Sequence, residues 1–147
     1  DLNNPADRDH CLQYMVAIGL IKGDLVAEDY EDDVAQDPII DELRSKMVVS
    51  ESKEYSEDYL DPDKRSIANK LRVFFNDGSS TDEVEVQYPI GHRRRRDEGI
   101  PILEEKFLRN LKTVFDDEKA QKIYSQFIDF EKLSSMSVVD FQKLLSV

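Results

Sequence analysis

The sequence predicts an α+β fold: a small antiparallel sheet with flanking helices and a further group of C-terminal helices. Two observations carry this. Apolar residues alternate with a period of two at Leu71, Val73 and Phe75, and again at Val84, Val86 and Tyr88, on either side of the turn-forming run Asn76-Asp77-Gly78-Ser79-Ser80. Elsewhere apolar residues recur at helical intervals. A third observation sets the scale. A sheet of two or three strands needs packing on a face to be stable, and a helix apolar around most of its circumference expects burial from several sides. Both ask for partners beyond these 147 residues, so the chain is expected to be part of a larger protein.

The elements follow in order. Residues 1–6 read as a linker. Asp7 or Asp9 can cap a helix that runs to about Lys22 and stops at Gly23. Leu12, Met15, Val16 and Leu20 form one apolar stripe on it, with Cys11, Tyr14, Ile18 and Ile21 beside them. Residues 24–35 are acidic and read as a short helix or loop facing water, with Leu25, Val26 and Tyr30 as packing points. Asp37-Pro38 opens a short amphipathic helix carrying Ile39, Ile40, Leu43 and Met47, because a capping side chain followed by proline suits a first helical turn. Residues 50–67, polar and punctuated by Asp61-Pro62, read as a loop or irregular crossing. After the hairpin, Pro101 is expected to open a helix with Leu103, Phe107, Leu111, Val114 and Phe115 on its apolar side. Asp116 can cap the next, which carries Ile123, Tyr124, Phe127 and Ile128. Ser137 with Asp140 resembles a capping box ahead of a last helix that buries Val138, Phe141, Leu144 and Leu145. The expected division is residues 1–100 for the portion that carries the sheet and residues 101–147 for the closing helices.

Composition excludes several classes. Seven Phe and six Tyr are too many for a disordered chain. The longest nearly apolar run, residues 11–21, is shorter than the roughly 20 apolar residues a bilayer span needs. No basic-then-apolar segment opens the chain, so no signal peptide is read. A single cysteine, Cys11, rules out an internal disulfide framework and any site built from several thiolates, which suits a reducing, cytoplasmic setting. A net charge of -12 disfavours nucleic-acid binding, which needs a basic surface. Phosphate-cradling glycine loops, the nucleophile elbow and paired-histidine zinc motifs are absent.

Two constellations could carry chemistry. His10 and Tyr14 stand four residues apart, so on one helix they would share a side, where an imidazole and a phenol could bond a carboxylate or move a proton. An ordinary structural role fits them too: a histidine that caps or packs and a tyrosine with its ring in the core. In Gly91-His92-Arg93-Arg94-Arg95-Arg96 the guanidinium forks suit carboxylate or phosphate recognition. A solvated loop, paired with acidic side chains or another subunit, is the alternative there. Cys11 reads as a small buried hydrophobe.

Four stretches taken together resemble the end of the MmgE/PrpD family. They are residues 7–17 (Asp7-Arg8-Asp9-His10-Cys11-Leu12-Gln13-Tyr14-Met15-Val16-Ala17), residues 27–33, residues 59–69 (opening Tyr59-Leu60-Asp61-Pro62-Asp63-Lys64-Arg65-Ser66) and residues 88–96 (Tyr88-Pro89-Ile90 and the basic run). The His-x-x-x-Tyr helix is similar across the family, and the basic run resembles the branch that dehydrates 2-methylcitrate. The resemblance weakens after about Phe115. It implies a hydro-lyase that eliminates water from 2-methylcitrate in propionate breakdown, with a large helical domain, a smaller α+β lid and an active site between them. It further implies Tyr14, with His10 beside it, as the catalytic contribution of this chain, and His92 and Arg93 as substrate-binding groups, with no metal and no cofactor. The remaining acid, base and carboxylate-binding groups would lie in the helical domain, leaving this portion inactive alone. The expected partners are a tricarboxylate substrate, that preceding helical domain and a second copy in a homodimer, with no nucleic acid and no membrane. A free-standing, non-catalytic α+β interaction domain of the same ancestry is the alternative.

Overall fold

Residues 2–146 are described by the computed structural model, and the chain falls into two units, Asp1–Glu51 and Ser52–Val147.

In the first unit Asn4 caps α1 (Pro5–Arg8) by accepting the Asp7 N–H at 3.0 Å, with Pro5 at the first helical position. The helix expected to continue to Lys22 instead ends after four residues, and α2 (Leu12–Lys22) starts afresh from Cys11, whose backbone is extended. The break follows directly on Arg8, which is 5% exposed. A buried guanidinium must be satisfied, and this one donates to the carbonyls of Leu2 (3.2 Å) and Tyr30 (2.6 Å) and pairs with Asp32 at 2.8 Å. Gly23 ends α2 as expected: at φ +76° it occupies the left-handed region that favours glycine, and its N–H reaches the Gly19 carbonyl at 2.9 Å. A one-turn 3-10 helix (Ala27–Tyr30) and α3 (Asp32–Ala35) fill the acidic stretch. Asp37 then caps α4 (Pro38–Ser45) by accepting the Ile39 N–H at 2.9 Å.

The core of this unit is Tyr14, Ala17 and Ile18 of α2 against Ile40 of α4, ringed by Leu25, Tyr30, Val34, Leu43 and Met47. Burying each isoleucine contributes about 1.5–3 kcal/mol. Leu12, Leu20 and Ile21, on the remaining circumference of α2, stay exposed.

The second unit opens with α5 (Lys53–Leu60), within a stretch expected to be a loop. Ser52 caps it, its hydroxyl oxygen accepting the Tyr55 N–H at 3.4 Å. A helix of mostly polar residues shows little apolar periodicity, so the cap is its main signal. An antiparallel hairpin forms around the expected turn: β1 (Asn69–Leu71) pairs with β2 (Val84–Val86), Leu71 facing Val84 and Asn69 facing Val86. Its strands are shorter than expected, the first lies earlier than the alternation suggested, and Val73, Phe75 and Tyr88 fall outside them. A further bridge joins Phe74 to Ser80, and between the two ladders the return strand carries one residue more than the outgoing one, the pattern of a bulge. The register places Leu71, Val84 and Val86 on one face, and all three are exposed. On the other face Tyr55 of α5 donates to the Glu85 carboxylate at 2.7 Å, a bond that pushes its pKa up to about 12.

Four helices complete this unit: α6 (Arg96–Leu111), α7 (Asp117–Phe127), α8 (Phe130–Ser135) and α9 (Val138–Leu145). α6 begins five residues before the expected Pro101, which lies inside it. Gly99 permits this early start by coming against the backbone of the preceding segment; a Cβ there would sit 2.4 Å from the Ile90 carbonyl oxygen. Asp116 and Ser137 cap α7 and α9 as expected, accepting N–H groups at 2.8 and 3.1 Å. The short α8, capped by Asp129, lies between them where no separate helix was expected. Leu111, Ala120 and Ile123 form the core, with Phe107, Phe127, Leu144 and Leu145 packed on it. Val138, expected to be buried, is the first helical residue of α9 and remains 74% exposed. Among the described residues no helix is long and apolar enough to cross a membrane.

Candidate functional site

The break between α1 and α2 decides where the first pair of candidates goes. His10 lies on the turn between the helices, with its side chain 83% exposed. Its Nδ1 sits against the Asp9 carboxylate and 3.1 Å from the Ala6 carbonyl. Both partners only accept, so Nδ1 carries the proton. Nε2 has no protein partner among the described residues. The bond to Asp9 foremost, then the Ala6 carbonyl and the Asp9 charge, raise the imidazole pKa above its ordinary value. A surface imidazole with one nitrogen tied to a carboxylate and the other open has the form of a proton-transfer group.

Tyr14 is two residues inside α2 and only 2% exposed. Its hydroxyl donates to the Asp29 carbonyl at 2.7 Å, and its ring stacks on Tyr30 with centroids 6.1 Å apart. Burial raises the phenol pKa, so the group is neutral. Asp29 is itself buried and ties the same turn from two sides, its carboxylate accepting the Lys22 ammonium and, at 2.9 Å, the Val26 N–H. Burial opposes its ionisation, but these two donors and the Lys22 charge outweigh that and the carboxyl pKa falls below its ordinary value. No hydrogen bond or ring contact joins His10 to Tyr14. One is open to water and the other is enclosed.

In the second unit the basic run folds onto its own neighbourhood. Arg93 reaches the carbonyls of Pro62 (3.3 Å) and Asp63 (3.2 Å) through one nitrogen. Arg94 donates to the same Asp63 carbonyl at 2.8 Å and to the Tyr88 hydroxyl at 2.8 Å, its guanidinium lying 4.8 Å from the Tyr88 ring centre. Arg95 is spent on the Tyr88 carbonyl (2.9 Å) and Glu98 (2.8 Å). The His92 ring lies against Tyr88, centroids 4.6 Å apart, and its Nδ1 accepts the Arg94 N–H at 3.2 Å. His92 and Arg93 are adjacent in sequence, and each side chain takes its hydrogen bonds and ring contacts from other residues. Residues 93 and 94 are held by backbone carbonyls of the turn after α5 and, for Arg94, by the Tyr88 hydroxyl, whereas Arg95 pairs with an acidic side chain.

Three members of these networks were not singled out from the sequence. Asp9 was readable as a carboxylate adjacent to a candidate histidine. Arg94 was part of the basic run but had nothing to set it apart from its neighbours. Asp29 carried no signal, because nothing in an acidic stretch marks which carboxylate turns inward.

Comparison with known proteins places these features in a family. Residues 1–129 match the MmgE/PrpD C-terminal domain. A 2-methylcitrate dehydratase from Salmonella typhimurium is 52% identical over 143 residues, 97% of this chain and 30% of that protein. The mitochondrial 2-methylcitrate dehydratase of Yarrowia lipolytica is 56% identical over 122 residues, 83% of this chain and 24% of its own length. The 2-methylcitrate dehydratase-like protein oryR of Aspergillus oryzae is 40% identical over 146 residues, 97% of this chain and 29% of its own. The chain spans no more than 30% of the length of these curated relatives. By its matched domain and these identities, the chain belongs to the MmgE/PrpD family.

Proposed function

We propose that this chain is the C-terminal portion of a 2-methylcitrate dehydratase, a hydro-lyase that removes water from 2-methylcitrate to give 2-methyl-cis-aconitate in propionate breakdown. The observation that carries this reading is 52% identity, over 97% of the chain, to a protein of that name. The reaction needs a base for the proton beside a carboxylate, an acid for the departing hydroxyl, and donors that hold the carboxylates. Within this chain His10 is the accessible proton-transfer group. Its raised pKa favours the imidazolium, whose Nε2–H can donate to a leaving hydroxyl or a carboxylate. Tyr14 contributes its phenol to substrate only after giving up the Asp29 carbonyl, so its participation requires the 3-10 turn at Ala27–Tyr30 to move. His92 and Arg93 serve as carboxylate donors.

The remaining acid, base and carboxylate-binding groups belong to a helical domain that precedes this portion, so the chain alone is inactive. The exposed apolar residues of α2 (Leu12, Leu20, Ile21) and of the hairpin (Leu71, Val84, Val86) support burial against that domain and against a second copy in a homodimer. One free cysteine fits a reducing, cytoplasmic setting. The test is an absorbance assay for the unsaturated acid, run on this chain and on a chain extended to the length of the relatives. The extended chain should turn over 2-methylcitrate and this chain should not. Robust turnover by this chain alone would overturn the incomplete site, and an inert extended chain would overturn the lyase reading.

A further inference from the structure

The basic run holds a feature that folding alone does not require. In a chain with 32 acidic side chains against 20 basic ones, the guanidiniums of Arg93 and Arg94 meet at one backbone carbonyl, that of Asp63, at 3.2 and 2.8 Å. Two like charges brought together this closely call for a counter-ion, yet among the described residues neither forms an ion pair; the acidic neighbour Glu98 is taken by Arg95. Donors are left over as well. Among the described residues Arg93 uses only one terminal nitrogen, with no partner for Nε and Nη1, and Arg94 has none for Nε. The pair is held in place from beneath. Arg94 lies on the Tyr88 ring and bonds its hydroxyl, the Tyr88 ring packs on His92, and the His92 Nδ1 accepts the Arg94 backbone N–H. The Asp63 turn is also fixed, by the Lys64–Asp58 pair and by Arg65 at φ +50°.

We propose that Arg93 and Arg94 form a binding site for a small polycarboxylate, each guanidinium taking a different carboxylate of one ligand, with His92 and Tyr88 as the platform that positions Arg94. Guanidinium forks match carboxylates in geometry, and two of them side by side select a ligand with two or more such groups. The field of a chain of net charge -12 repels an extended polyanion such as nucleic acid, so a compact anion is the occupant. The choice of a tricarboxylate as ligand rests on the lyase reading above. The pairing of the guanidiniums does not, and the test reads binding without turnover, so the two can fail separately.

The experiment is a citrate titration of this chain at constant ionic strength, followed by nuclear magnetic resonance of the arginine Nε–H groups and the His92 ring. Citrate should shift the Arg93, Arg94 and His92 signals saturably. Arg93→Gln and Arg94→Gln should each weaken binding at least fivefold, while Arg109→Gln, on the exposed side of α6, leaves it unchanged. Arg94→Lys keeps the charge and loses the fork, and should also weaken binding; it stands in for Arg94→Gln should that variant fail to fold. Absence of saturation, affinity unchanged by the Arg93 and Arg94 substitutions, or equal shifts from acetate or inorganic phosphate would overturn the proposal.

Discussion

Replacing Tyr14 by Phe separates its structural role from the chemical role proposed for it. The substitution keeps the ring, its stacking on Tyr30 and the packing against Ile18 and Ile40, and removes one hydroxyl that donates to the Asp29 carbonyl at 2.7 Å. That bond is buried, so its loss leaves an acceptor unpaired away from water, at a cost of about 1–3 kcal/mol. Such a loss should accelerate amide hydrogen exchange along α2 by about 5- to 150-fold. Exchange rates unchanged within about twofold would refute the claim that the hydroxyl holds the turn at Ala27–Tyr30 to α2. The chemical role has its own readout. In the chain extended to the length of the relatives, Tyr14→Phe should lower turnover at least tenfold, about 1.4 kcal/mol in the barrier. Faster exchange with full turnover would confine Tyr14 to the fold.

Further outcomes follow from the same geometry. Gly99→Ala gains about 1 kcal/mol of helix propensity but places a methyl 2.4 Å from the Ile90 carbonyl oxygen. Backbone must shift to admit it, so the net effect should be a loss of about 1–2 kcal/mol in urea unfolding; a stabilised variant would contradict the close approach. The His10 pKa is raised in the folded chain, so the stabilisation it reports is fully present below the ordinary value near 6.5 and lost as pH rises through the folded value. Asp9→Asn should therefore lower the His10 midpoint in a proton-resonance titration; an unmoved midpoint would show that the pair does not hold in solution. Asp29 has the opposite sign. Its pKa is lowered, so its contribution is present above the ordinary carboxylate value and lost as pH falls through the folded one. Lys22→Met should raise the pH at which the first unit unfolds in acid, read by circular dichroism, and an unchanged acid transition would deny Lys22 that role.

The parts of the fold written in local chemistry were readable from the sequence. Asp37-Pro38, Asp116 and Ser137 mark helix starts because the cap side chain that satisfies the first free N–H groups is itself a sequence feature. The turn at residues 76–80 and the stop at Gly23 are of the same kind. What escaped depends on partners remote in sequence. The break after Arg8 follows the burial of its guanidinium among Leu2, Tyr30 and Asp32, and α6 starts early because Gly99 lets helix and carbonyl approach. The candidate site shows the same division. His10 and Tyr14 are four apart, but with His10 outside the helix their spacing no longer puts them on one side of it. The basic run stood out in the sequence as a candidate for carboxylate recognition, whereas the convergence of Arg93 and Arg94 on Asp63 emerges only when the turn after α5 folds against it.

The central claim, that this chain belongs to a lyase acting on 2-methylcitrate, is tested most directly by competition. An equimolar mixture of 2-methylcitrate and citrate, given to the chain extended to the length of its relatives, can be followed by proton magnetic resonance. The account predicts that 2-methylcitrate is consumed first, with the signals of 2-methyl-cis-aconitate growing in step. Faster consumption of citrate, or no new unsaturated product from either acid, would contradict it.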